Sequence, residues 1–346
     1  MLNATIEHFS YKKFWCEKLD KFEFVDVNAL PAKSLVKVGG KSLALSKWVS
    51  PKRTRSYPYA RVYDTLQQDA TKTVTVIPLF KDEGSGGEMD YLQWDTVGLM
   101  SLLNVYVILA FYDEAERKND GKITNQKFNN DFVYLKLNEV VNYQQSALHW
   151  NLGQFEKANL LNLVENAKNA YRKVGQNLAV KMHNFANLEK FCAKILGERE
   201  NFIAFSRKKA QNAQNAESKT TQPKEFLNFC GFGGQKEKIV IKNHLGGEYF
   251  FTIDEVFFKD GVLFLCENKH AKNAALPSFD DIKDGLLKLM LYENLSELKG
   301  FDKFKAVLNL TASGKILTAK QREFLALLKE EARFNKFEIW LNGVVR

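Results

Sequence analysis

The sequence predicts an α/β protein in which a mixed β-sheet core is flanked by helices. Three observations predict it: short β-branched and aromatic runs, apolar residues at helical spacing between them, and turn residues where the two patterns meet. Of the 346 residues, 45% are hydrophobic and 13% aromatic, with 27 Phe among them. That is enough apolar material for one large or two medium domains, and it excludes a disordered chain.

The elements follow in three regions. In residues 1–151, an N-terminal α/β region, Val74–Phe80 (VTVIPLF) has the character of a buried strand. A polar, Gly-rich loop (Lys81–Gly87) leads to a helix over about Asp90–Leu103 and a second strand, Val105–Tyr112. Strand, helix and strand in that order imply a parallel pair joined by a crossover. In residues 152–224, Leu160, Val164, Ala167, Tyr171 and Val174, then Leu188, Phe191 and Ile195, recur at helical spacing. They predict a helical pair that ends in the polar stretch Arg207–Lys224, read as a linker or exposed loop.

Residues 225–346 have the clearest pattern. Lys238–Lys242 and Tyr249–Phe258 are predicted strands, and Lys259-Asp260-Gly261 is a turn whose Gly suits positive φ. Val262–Lys269 is a third strand. Ser278 and Asp281 start a helix in the manner of a capping box, and the helix is expected to run to about Lys299. Ile282, Leu286, Leu289 and Met290 line one of its faces. Phe304–Ala312 is a further strand, Thr318 and Gln321 cap another helix, and Phe337–Asn342 closes as a strand. The order is β-β-β-α-β-α-β.

Charge and cysteine usage bound the partners. The formal net charge of +9 favours an anionic partner such as nucleic acid or a membrane surface. Cys16, Cys192, Cys230 and Cys266 form no CxxC pair, so neither a zinc site nor a disulfide framework is suggested. Met1–Asp20 carries no apolar signal-peptide core, and Val97–Phe111 is interrupted by Gly98, Ser101 and Asn104. No membrane association and a cytoplasmic location are expected.

Three charged residues stand out at the end of apolar strands. Asp254 lies in YFFTIDEVFF, and the next strand, VLFLCENKH, carries Glu267 and Lys269. Residues two apart on a strand share a face, and the tight turn returns this strand alongside Asp254. Such a set is costly to bury unless it is paired or holds a metal. Two carboxylates suit Mg²⁺, which accepts a few carboxylates and keeps several waters. An ammonium beside them can hold an attacking water and stabilise developing charge. The alternative is an ordinary salt bridge in which both acids pair with Lys269.

IDEVFF…GVLFLCENKH resembles the motif of PD-(D/E)XK superfamily nucleases, with Ile253 at the variable proline position. Leu276–Leu295 resembles the segment that follows it in bacterial type II restriction endonucleases. The resemblance covers about the last third of the chain. It implies a restriction-endonuclease-like core, with Asp254, Glu267 and Lys269 catalytic, Asp254 and Glu267 binding Mg²⁺, and Lys269 serving the nucleophile. Glu225 is a candidate for an additional helix acid. The implied activity is site-specific cleavage of double-stranded DNA to leave 5′-phosphates. A DNA methyltransferase is the implied functional partner, and a homodimer is allowed. The rivals are a repair or recombination nuclease of the same superfamily and a DNA-binding protein with an inactive nuclease fold.

Two further features bear on this reading. Asp64, a polar turn and VTVIPLFK ending in Lys81 repeat the order acid, hairpin, strand, lysine, but Leu79 sits where the second acid belongs. That stretch is either a degenerate copy of the core or the true centre, with Asp82 or Glu83 as a migrated carboxylate. Lys47–Arg61 interleaves basic and aromatic residues, and Arg53, Arg55 and Arg61 are candidate DNA contacts. His270, beside the motif, is a candidate base, with a phosphate or solvent contact the preferred reading. His8, His149, His183 and His244 have no ligand spacing.

Overall fold

A computed structural model describes residues 1–49, 59–118, 121–212, 234–245, 248–314 and 316–345. The protein is a mixed α/β chain of two compact units, residues 18–201 and residues 1–17 with 202–346. Strand β1 (Leu2–Ile6) opens the chain and belongs to the second of these.

The unit of residues 18–201 is built on a five-stranded sheet. Its strands are β2 (Lys21–Glu23), β3 (Lys33–Val38), β4 (Lys41–Lys47), β5 (Lys72–Pro78) and β8 (Val105–Ala110), in that spatial order. Helix α1 (Tyr59–Thr65) precedes β5. A small hairpin, β6 (Phe80–Asp82) with β7 (Met89–Tyr91), and helix α2 (Trp94–Leu102) lie between β5 and β8. β5 and β8 run parallel, as a crossover requires. A twisted hairpin of β9 (Tyr112–Lys118) and β10 (Lys122–Phe128) follows. Then come α3 (Asn130–Asn142), α4 (Ala147–Gln154), α5 (Lys157–Leu178) and α6 (Ala186–Asn212). Arg207–Asn212, expected in a linker, is the last part of α6, and the remainder of that stretch lies outside the described residues.

Two polar clusters fix this unit. β8 is buried along its whole length at one edge of the sheet, where its free backbone groups need partners. Side chains of α4 supply them. The Val107 amide donates to Asn151 Oδ1 at 2.8 Å, and Asn151 Nδ2 donates to the Val105 carbonyl at 3.1 Å. The Leu109 amide donates to Gln154 Oε1 at 3.0 Å, while Trp150 Nε1 donates to the Val107 carbonyl at 2.6 Å. The second cluster surrounds Asp82, which is fully buried. Its carboxylate accepts from the Gly84 amide at 2.8 Å and the His183 amide at 3.1 Å, and His183 Nδ1 lies 2.6 Å away. The Tyr171 hydroxyl accepts from the Asp82 amide at 3.0 Å and donates to Gln126 Oε1 at 2.7 Å.

The other unit carries an eight-stranded mixed sheet. To β1 are added β11 (Gln235–Asn243), β12 (Glu248–Lys259), β13 (Val262–Ala271), β14 (Glu297–Leu298), β15 (Phe304–Ala312), β16 (Glu338–Leu341) and β17 (Val344–Val345). The spatial order is β14-β1-β11-β12-β13-β15-β16-β17. β11, β12 and β13 form an antiparallel meander, and β13, β15 and β16 run parallel. The turn after β12 has φ of 51° at Asp260 and 79° at Gly261, the left-handed pair that a two-residue hairpin demands. Helix α7 (Phe279–Tyr292) packs on β13 and β15 through Ile282, Leu286, Leu289 and Met290. Helix α8 (Ala319–Asn335) starts with a full capping box at Thr318 and Gln321. At Ser278 the side chain caps the Asp281 amide, and Asp281 Oδ2 accepts from the serine hydroxyl itself at 2.6 Å.

The N-terminal residues complete this unit. β1 lies parallel to β11, with Leu2 opposite Ile239. It also ends α7 early: the Ser296 and Lys299 amides each donate at 2.8 Å, to the carbonyls of Thr5 and Asn3. The helix therefore stops at Tyr292 instead of reaching Lys299, and the following residues become β14. Beyond β1, buried Glu331 of α8 accepts from the Tyr11 hydroxyl at 2.8 Å and the Phe14 amide at 2.9 Å. Among the described residues no helix is long and apolar enough to cross a membrane.

Candidate active site

The site forms where β12 and β13 part. Their pairing runs from Lys259 opposite Val262 to Glu255 opposite Cys266. One residue further on, Asp254 stops pairing through its backbone, and its Oδ2 accepts from the Asn268 amide at 3.1 Å. Strand alternation then sorts the polar residues. Asn268 turns to one face, donating to Glu255 Oε2 and accepting from Asn309 Nδ2, both at 2.9 Å. Glu267 and Lys269 turn to the other, toward α7.

Glu267 is completely buried. Its two oxygens lie 3.1 and 2.9 Å from Lys288 Nζ, and its Oε1 accepts from the Tyr292 hydroxyl at 2.9 Å. Lys288 and Tyr292 are four residues apart on α7 and so share a face. Lys288 Nζ also donates to the Thr252 carbonyl at 3.3 Å and stands 3.9 Å from Asp254 Oδ1. Burial pushes the Glu267 carboxyl up to about 7; the Lys288 charge opposes this and Asp254 adds to it. Burial likewise pushes the Tyr292 hydroxyl well above the usual phenol range, and the neighbouring Glu267 reinforces it. Asp254 remains about a third exposed, which leaves the centre open on its side.

The expected trio is thus assembled in part. Asp254 and Glu267 face one cation, but that cation is Lys288, not Lys269. Lys269 makes no ion pair among the described residues, so a salt bridge between it and the two acids is not formed. Its stem passes over Gly285 of α7. A Cβ built on Gly285 would lie 3.0 Å from Lys269 Cε and 3.0 Å from Leu308 Cδ1. The absence of a side chain at Gly285 therefore leaves the room that the Lys269 stem occupies.

The donor set suits a hard divalent cation. Two carboxylates and one carbonyl converge on a point already taken by an ammonium, and all are oxygens. Among the described residues no group of three His, Cys, Asp or Glu is placed to hold a metal. Two carboxylates suffice for Mg²⁺, which keeps several waters, but not for a dedicated zinc site.

The second candidate centre has a different build. Asp64 is buried on helix α1, not on a strand, and Lys33 Nζ lies 2.6 Å from its Oδ2. β5 pairs in parallel with β4 and β8, so no hairpin links Asp64 to Lys81. Lys81 is buried on β6 with Glu83 as its counter-ion. Arg61 donates from Nη1 to the Lys47 carbonyl at 3.0 Å, which anchors α1 to β4. Arg53, Arg55 and Glu225 lie outside the described residues. His270 is exposed, with Nδ1 2.9 Å from Thr311 Oγ1. His183, without ligand spacing in the sequence, is the partner of Asp82.

Lys288, Tyr292 and Gly285 were missed by the sequence pattern, although a signal exists. Positions 285, 288 and 292 fall on one helical stripe beside the apolar face of α7, where a glycine and a lysine are out of place. No family model, curated protein or solved structure matches the chain.

Proposed function

We propose that the chain is a magnesium-dependent endonuclease of the PD-(D/E)XK superfamily that cuts double-stranded DNA in the manner of a type II restriction enzyme. The observation that carries this reading is the fully buried Glu267 beside partly exposed Asp254, both oriented on one cation at the end of a β-hairpin. The order β-β-β-α-β around the hairpin supports the resemblance stated from the sequence. A repair nuclease of the same superfamily would have the same centre; recognition of a short site would separate the two.

Asp254 and Glu267 would hold the ion. Magnesium, when bound, offsets charge on the scissile phosphate and makes a coordinated water more acidic. Lys269, which forms no close ion pair among the described residues although its charge acts on Glu267, would hold the attacking water through Nζ and stabilise charge developing on the phosphate oxygens. The water gives up a proton as its oxygen bonds to phosphorus, the bond from phosphorus to the 3′ oxygen breaks, and that oxygen takes up a proton in turn. The products are a 5′-phosphate and a 3′-hydroxyl. The net charge of +9 assists approach to DNA, and a cognate methyltransferase protecting host sites completes the reading.

Incubation with plasmid and phage DNA in Mg²⁺ should give discrete fragments. EDTA should abolish them, and Ca²⁺ should allow binding without cleavage. Sequencing the fragment ends gives both the site and the position of the phosphate. Folded protein that leaves a wide panel of DNAs intact in Mg²⁺ and Mn²⁺ would overturn the proposal.

A further inference from the structure

We infer that the Lys288 ammonium occupies the divalent-cation position in the free protein, and that a metal ion enters by displacing it; the inference rests on the reading of this centre as a metal site. Nζ collects both Glu267 oxygens at 2.9 and 3.1 Å, the Thr252 carbonyl at 3.3 Å and Asp254 Oδ1 at 3.9 Å. These are the oxygens a hard cation would use, and they come from two neighbouring strands. An ammonium and a divalent cation cannot share them. Both need the same lone pairs, and their mutual repulsion is strong where water is excluded.

The surroundings allow exchange. The Lys288 side chain is 22% exposed and its four-carbon stem is flexible, so the ammonium has a route outward while α7 stays in place. Tyr292 continues to donate to Glu267 Oε1 once Lys288 has left, so the buried carboxylate keeps its orientation. The free protein thus has a charge-compensated centre that binds metal weakly. A displaced ammonium tethered beside the site is suited to a DNA phosphate, so DNA and metal should each favour binding of the other.

Mn²⁺ alone is the probe, followed through the free-ion electron paramagnetic resonance signal with the full-length chain. Lys288→Met should bind Mn²⁺ at least tenfold more tightly than the native protein, and Lys288→Arg should bind as weakly as native. Adding Glu267→Gln to Lys288→Met should remove the binding. Lys288→Gln serves as the second neutral variant, with circular dichroism checking that each chain is folded. Native protein binding as tightly as both neutral variants, or more tightly, would overturn the displacement and leave the nuclease reading standing. Absence of Mn²⁺ binding in the native protein and in both folded neutral variants would overturn both.

Discussion

Asp82 and Glu267 are both fully buried carboxylates, one in each unit, yet they are satisfied in opposite ways. Asp82 accepts from two backbone amides and the ring of His183, so its partners are held by the path of the chain. Glu267 accepts from an ammonium on a long stem and from a phenol. The first arrangement can only be broken by unfolding its surroundings. The second rests on two side chains of α7, one of them on a flexible stem. Burial and charge alone therefore do not tell the two carboxylates apart; the kind of group that compensates each does.

The largest expected effect breaks this comparison directly. Glu267→Gln should lower Mg²⁺-dependent DNA cleavage by about a thousandfold or more, the order seen when one group that stabilises the transition state is removed. Melting at pH 8 should be unchanged or higher, because burial disfavours the ionised form of Glu267. Asp82→Ala should do the reverse. It strips a partner from the Gly84 and His183 amides and should cost about 1–3 kcal/mol of stability for each donor left unpaired. Cleavage per folded molecule should stay near native. A melting loss in Glu267→Gln equal to that in Asp82→Ala would erase the distinction.

Next in size is Gly285→Ala. The substitution gains about 1 kcal/mol of helix propensity but presses on Lys269 Cε and Leu308. Stability should therefore change little while the cleavage rate falls about tenfold, since small displacements of reacting groups are costly. An unchanged rate would show that Lys269 is not positioned through Gly285.

A smaller effect concerns pH. Burial pushes Glu293 up to about 8 and Glu267 up to about 7, so the folded chain binds protons more tightly than the unfolded one at both positions. Stability should then fall as pH rises from about 4.5 through 7 to 8, the window between the unfolded and folded values. Denaturant titrations at pH 5.5, 7 and 8.5 measure this. Glu293→Gln should flatten the upper part of the slope; a slope identical to native would remove Glu293 as its source. Smallest is Arg61→Ala, which should lower the salt dependence of DNA binding by about 0.9 if that side chain meets one phosphate. Arg53→Ala and Arg55→Ala are the companion tests, and one of the three is expected to relax site choice.

What the sequence makes legible is whatever is local. The alternation of β12 and β13, the Asp260-Gly261 turn and the apolar face of α7 are each readable within a dozen residues, and together they bring Asp254, Glu267 and Lys269 onto one hairpin. The partner of Glu267 left only a faint mark, a lysine beside the apolar face of its helix, because which residue meets Glu267 depends on how α7 is rotated against β13. Lys288 in the sequence is one lysine among many. Asp64 misled for a similar reason: a short helix and a strand end look alike over a few residues, and α1 spans only Tyr59–Thr65. The amides of Asn151 and Gln154 gave no sign that they complete the edge of β8, since side chains that substitute for a strand carry no periodicity.

The pairing of β1 with β11 sets an order in time. Leu2 leaves the ribosome long before Ile239, and the whole unit of residues 18–201 is made between them. That unit contains its own sheet and can fold while the rest is still being synthesised. The sheet that holds Asp254 and Glu267 is complete only when β1, made before that unit, has received β11 and then β14. Its nucleus must bring together residues far apart in the chain, which slows it. A nascent chain stalled after residue 201 would carry the unit of residues 18–201 and a β1 without its β11 partner, and neither of the strands that bear Asp254 and Glu267.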